Sequence, residues 1–148
     1  MILNLLSDTT PLKFSGKNGQ RTVLDPIRKK WLALTPEELV RQLFVVYLIR
    51  KLEYPASRIA VEKQIRMDRT IKRFDLVVYS SALAPFLLIE CKSPEVMLDE
   101  QVVSQVVRYN LAVKADFLCI VNGLECRVFQ KSEDGRWREV DFLPAYIP

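Results

Sequence analysis

A chain of 148 residues is long enough for one domain with one buried core, and its 49% hydrophobic content is that of an ordinary globular protein. The absence of histidine excludes Ser–His and Cys–His hydrolases and any imidazole base, so hydrolytic chemistry here must use carboxylates, lysine and a metal. A net charge of +4 permits binding to a polyanion without requiring it.

Residues 1–30 read as an N-terminal arm. The opening Met-Ile-Leu-Asn-Leu-Leu lacks the basic leader and long apolar segment of a signal peptide, and no stretch approaches the roughly 20 apolar residues of a membrane span. Cys91, Cys119 and Cys126 all lie in apolar runs. An odd number of thiols without a secretion signal predicts reduced, buried cysteines and a cytoplasmic protein. Residues 15–20 read as a turn or loop, flanked by Leu12, Phe14, Val23 and Leu24 as a small hairpin.

The core is expected over residues 31–130. Thr35-Pro36-Glu37-Glu38 is a helix start: threonine caps, proline suits the first helical position, and Glu38 stands where a capping box has its glutamate. Val40, Leu43, Phe44, Tyr47 and Leu48 then repeat at helical spacing, and Tyr54-Pro55 stops the helix. Residues 58–67 and 71–79 predict two strands joined by a turn at Asp68-Arg69-Thr70, with Ile59, Val61, Ile65 and Met67 on one side of the first. After a short turn at residues 80–85, a third strand runs from Phe86 to the Glu90-Cys91-Lys92 segment. A second helix is expected over residues 99–114, with Gln101, Gln105, Arg108 and Ala112 on one face. Two further strands, 117–121 and 124–130, flank Asn122-Gly123, a type I′ hairpin signal. Residues 131–148 supply an edge strand and tail. The order is helix, three strands, helix, two strands. It predicts a single α/β domain over residues 1–148, its mixed β-sheet flanked by helices: an antiparallel meander followed by a right-handed crossover to a parallel strand.

The apolar run Phe86-Leu87-Leu88-Ile89 should be a buried strand, yet it ends in Glu90 and Lys92, which share a face. These two charges have two readings: a salt bridge at the rim of the sheet, or part of a metal-dependent phosphodiesterase site. The preceding strand bears on the choice. Asp75 stands early in its apolar stretch, and an antiparallel hairpin brings it close to Glu90. Two carboxylates and a lysine converging on one spot suit a hard cation with oxygen ligands.

Phe74-Asp75 followed by Glu90-Cys91-Lys92 resembles the signature of the PD-(D/E)xK nuclease superfamily, with Phe74 where the superfamily name has proline. Residues 35–42 resemble the opening helix of the N-terminal nuclease domain of type I restriction enzyme R subunits, and Gln105 with Tyr109, and Val121-Asn122-Gly123, are similar to its later motifs. The likeness spans about residues 31–130, and no motor domain is expected to follow. It implies a restriction-endonuclease-like αβββαβ core and Mg²⁺-dependent hydrolysis of DNA, with Mn²⁺ able to substitute. Asp75, Glu90 and the Cys91 backbone carbonyl would hold the metal. Glu38 is a further candidate ligand, in competition with its capping role. Lys92 would hold the attacking water or stabilise charge, and Gln105 and Tyr109 would position the phosphate or Lys92.

Arg41, Lys63, Arg66, Arg69, Lys72 and Arg73 are the candidate phosphate contacts, as a group suited to sequence-independent binding. The expected function is endonucleolytic cleavage of DNA in restriction or defence against foreign DNA. The expected partners are DNA and either a second copy or a larger restriction or motor subunit, with no membrane. The alternative is a catalytically inactive subunit of the same fold that binds nucleic acid or docks a partner.

Overall fold

A computed structural model describes residues 1–147, the side chain of Lys17 excepted. Its body is a six-stranded mixed sheet. β4 (Ile59–Met67), β5 (Thr70–Tyr79) and β6 (Pro85–Cys91) form an antiparallel meander; β7 (Phe117–Val121) joins β6 in parallel, and β8 (Cys126–Lys131) and β9 (Trp137–Val140) follow antiparallel. The helix α1 (Pro36–Arg50) precedes the meander, and α2 (Glu100–Tyr109) makes the crossover between the parallel strands. This is the expected αβββαβ order and a restriction-endonuclease-like α/β fold.

Alternation along the central strands divides the core into two layers. Leu87, Ile89 and Cys91 on β6, with Cys119 and Val121 on β7, pack with Val40, Leu43, Phe44 and Leu48 of α1. Leu88, Leu118 and Ile120 point the other way, to Val103 of α2 and to Leu98 and Val113. Strands buried on both faces therefore read as unbroken apolar runs. The three thiols are buried and free.

The arm is more ordered than the sequence suggests. It forms a separate three-stranded antiparallel sheet, β1 (Phe14–Lys17), β2 (Gln20–Asp25) and β3 (Lys30–Ala33). The anticipated loop narrows to Asn18-Gly19, both at positive φ, as a tight hairpin turn demands. β3 left no pattern to read, because its residues are exposed or half-buried. Leu12 and Val23 of the arm join the α1 layer. This cover explains why Val45, outside the expected apolar stripe, is also buried.

Three local expectations change. α2 stops at Tyr109 and does not reach residue 114, because the Asn110 side chain donates to the Val106 carbonyl at 2.8 Å. The β7–β8 connection is a four-residue loop, residues 122–125, since Val121 pairs with Cys126. Asn122 organises it: its Oδ1 accepts from the Leu124 and Glu125 amides at 3.0 and 2.9 Å, while its Nδ2 donates to Val96 at 2.9 Å. Finally, Ile59, Val61, Ile65 and Met67 do not share a face. The first two join the α1 layer and the last two the α2 layer, with Glu62 at φ +53° where the alternation breaks.

Gly123, at φ +92°, holds this loop against the chain start. A Cβ there would lie 3.1 Å from Val40 Cγ2 and 3.3 Å from Leu6, and its carbonyl accepts from the Leu5 amide at 2.8 Å. Gly123→Ala adds backbone strain to a steric wedge. It is expected to cost about 1–3 kcal/mol in urea unfolding.

Candidate metal and nucleic-acid site

The site lies where β5 and β6 part. Their pairing runs through Val77↔Leu88 to Leu76↔Ile89, so continued register sets Asp75 opposite Glu90. There the side chain takes over from the ladder: the Cys91 amide donates to Asp75 Oδ2 at 2.7 Å. The Glu90 carboxyl lies within hydrogen-bonding reach of Asp75. Burial, together with the Asp75 charge and hydrogen bond, pushes Glu90 up to about 8, and Lys92 opposes this only in part. Asp75 and Glu90 are thus brought together, while Lys92 acts on Glu90 through its charge and, among the described residues, makes no ion pair with either carboxylate.

The α1 side of the site is an ion-pair network that sequence did not reveal. Thr35 Oγ1 accepts from the Glu38 amide at 3.0 Å, as a cap should. The Glu38 side chain does not complete a capping box. It accepts from Arg41 Nε at 2.8 Å, from Arg41 Nη2, and from Gln42 Nε2 at 3.1 Å. Glu38 is therefore committed to neighbours on its own helix, and the exposed Glu37 is the α1 carboxylate left free to face the cavity. Arg41, expected to meet DNA from the surface, is instead buried, because three carboxylates draw it inward. Its Nη1 stands 3.3 Å from Glu62 Oε1 and 3.8 Å from Asp75 Oδ1. Burial works against its charge, but the Glu38 hydrogen bonds and the Glu38, Glu62 and Asp75 charges outweigh it and raise its pKa.

Glu62 is the hub. Besides Arg41, it accepts from Arg28 Nη1 and Arg73 Nη2, each at 2.6 Å. Burial pushes its pKa up, but these arginines prevail and hold it below the usual carboxylate range. Arg28 also donates to Asp25 Oδ2 at 2.7 Å, which ties the arm sheet to the site. One sequence signal for Glu62 existed. Counting back equally from the Asp68-Arg69 turn sets it opposite Asp75.

A cavity of about 180 Å³ is lined by Thr35, Glu37, Glu38, Arg41, Glu62, Asp75 and Cys91. Larger, mainly apolar grooves lie between the arm and α1, away from these carboxylates. Beyond Glu62 and Asp75 the β4–β5 hairpin carries Arg66, Arg69 and Arg73 exposed. Lys72 is half-buried and sits 4.1 Å above the Tyr109 ring, on the α2 side; Lys63 pairs across from buried Phe74. Gln105 is exposed on α2. Among the described residues it makes no hydrogen bond to Asp75, Glu90 or Lys92.

Among the described residues no three His, Cys, Asp or Glu side chains are grouped to hold a metal unaided. The Asp75–Glu90 pair nonetheless fits a hard cation of the Mg²⁺ kind, which takes one or two carboxylates and completes its shell with water and phosphate. A family model for the type I restriction enzyme R protein N terminus matches residues 36–144. The chain belongs to this family. A comparison with curated proteins finds no match. Membership gives this R-protein N-terminal domain a restriction-related role, and the matched span runs from the first residue of α1 to just past β9. No helix among the described residues is long and apolar enough to cross a membrane.

Proposed function

We propose that this R-protein N-terminal domain is a Mg²⁺-dependent DNA endonuclease of the PD-(D/E)xK type, acting in restriction. The observation that carries this reading is the half-buried Asp75–Glu90 carboxyl pair, with Glu90 raised to about 8 and the Lys92 charge acting on it. Carboxyls packed this closely cannot both ionise easily, so Glu90 keeps its proton until a cation displaces it. Asp75, Glu90 and the Cys91 carbonyl would hold Mg²⁺ or Mn²⁺, and Glu37 stands nearest on α1 to add a charge. A cation bound there polarises a phosphoryl oxygen and lowers the pKa of a bound water. Lys92 donates to the phosphate or to the attacking water and offsets charge as it develops. Gln105 and Tyr109 remain candidates for positioning the phosphate. The test is incubation with supercoiled plasmid and single-stranded DNA in Mg²⁺, Mn²⁺ or EDTA. Cleavage in the metal lanes alone supports the reading.

One site cuts one strand, so a double-strand break needs two copies or a larger restriction assembly. Backbone contacts fall to the exposed hairpin arginines. Arg66→Ala and Arg69→Ala are each expected to weaken duplex binding about equally for all sequences and to lower the salt dependence by about one phosphate contact. Fluorescence anisotropy across a salt series measures both. If neither slope changes, the hairpin is not the contact surface.

The second reading is a non-catalytic DNA-binding or partner-docking domain. Arg41, 3.8 Å from Asp75, favours it, since a tethered guanidinium compensates that carboxylate without a metal.

A further inference from the structure

The Arg41 guanidinium is held on one edge. Its Nε and Nη2 are both taken by Glu38, and Gln42 braces Glu38 from the next position on the face. This leaves Nη1 aimed between Glu62 and Asp75. The side chain is buried, so its charge is poorly screened by solvent. Asp75 is constrained in a complementary way. Its Oδ2 is occupied by the Cys91 amide, and its other oxygen, Oδ1, is the one facing Arg41. A divalent cation on Oδ1 must therefore sit close to a fixed positive charge. Glu38 offsets that charge from the far edge of the guanidinium, and on the Nη1 side Glu62 adds little, because Arg28 and Arg73 share it.

We propose that Arg41 keeps the metal affinity of the Asp75–Glu90 pair low until a phosphodiester arrives, so that cation and DNA load together; this rests on the nuclease reading above. The phosphodiester supplies negative charge that offsets the cation and the guanidinium at once. Linkage then requires reciprocity: DNA tightens the metal by the same factor by which the metal tightens DNA. The purpose such coupling serves is containment, since a site without DNA stays unloaded.

The experiment is Mn²⁺ calorimetry with and without a hydrolysis-resistant phosphorothioate duplex. It compares the wild type with the double variant Glu38→Gln, Arg41→Gln, which removes the ion pair without leaving a buried Glu38 charge alone. Loss of the Glu38 charge can only weaken cation binding, so any tightening is assigned to Arg41. The expected result is Mn²⁺ binding at least about tenfold tighter in the DNA-free variant than in the DNA-free wild type, and a smaller gain on adding duplex. In the wild type alone, duplex should tighten Mn²⁺ and Mn²⁺ should tighten duplex by one common factor, a measurement that needs no variant. Equal Mn²⁺ affinities in the two proteins, or no coupling in the wild type, would overturn the role of Arg41 and leave the nuclease reading standing. No Mn²⁺ binding by either protein, with or without duplex, would overturn both.

Discussion

Alanine at Asp75, Glu90 or Lys92 is expected to abolish metal-dependent cleavage of DNA, with losses of at least about 10³-fold for each. The three act as one unit, so double variants should be little worse than single ones. The physical reason differs by residue. Without Asp75 or Glu90 one carboxylate of the pair is left to hold a divalent cation, with only the exposed Glu37 free to supplement it: Glu38 is locked to Arg41 and Gln42, and Glu62 is shared by three arginines. Without Lys92 the cation can still bind, but the positive charge that partly opposes the rise of Glu90 is lost, along with the proposed donor for water or phosphate. Metal-induced stabilisation should therefore disappear in the carboxylate variants and survive in Lys92→Ala. Plasmid nicking measures the activity and thermal melting in Mn²⁺ against EDTA measures the binding. Full activity in any one of the three variants would remove the nuclease assignment in favour of the non-catalytic reading.

The second large effect is on pH dependence. Glu90 is held at about 8 in the folded chain, against an ordinary 4.5. A raised folded pKa means that ionising Glu90 costs more folded than unfolded. Its contribution to stability is therefore complete below about 4.5 and is lost as pH rises through about 8. In EDTA the wild type should lose on the order of a few kcal/mol from this source across that window. Glu90→Gln should flatten the loss. Asp75→Asn should weaken it and leave metal-free stability unchanged or higher, since an amide oxygen can still accept from the Cys91 N–H. Mn²⁺ should reverse the trend: its affinity rises with pH up to about 8 because binding releases the Glu90 proton. Melts from pH 5 to 9 with and without Mn²⁺ decide it. If the two carboxyls are instead structural partners of Lys92 and Arg41, Asp75→Asn would destabilise by roughly 3–5 kcal/mol and added metal would move neither protein.

The sequence by itself determined the parts that depend on local chemistry. Thr35-Pro36 begins α1 because a cap and a fixed φ act within one turn. The runs of Leu76 to Val78, Phe86 to Ile89 and Phe117 to Val121 become strands because residues buried on both faces leave unbroken apolar sequence. The approach of Asp75 to Glu90 follows from a short connection between antiparallel strands, which sets register within a residue or two. Only the tertiary structure decided which charges turn inward. Glu37 and Glu38 are neighbours with the same chemistry, and the position of Arg41 one turn later selects Glu38 as its partner and leaves Glu37 to the cavity. Arg41 and Lys63 look alike as basic residues among apolar ones, yet one is buried and the other exposed, because an ion pair depends on what other elements bring within 4 Å. The arm sheet adds Arg28 to Glu62 across 34 residues of chain, and Glu62 itself turns to the site through a positive φ that breaks the strand period. Period and capping act over a few residues, whereas electrostatic partners are chosen in space, after the layers have packed.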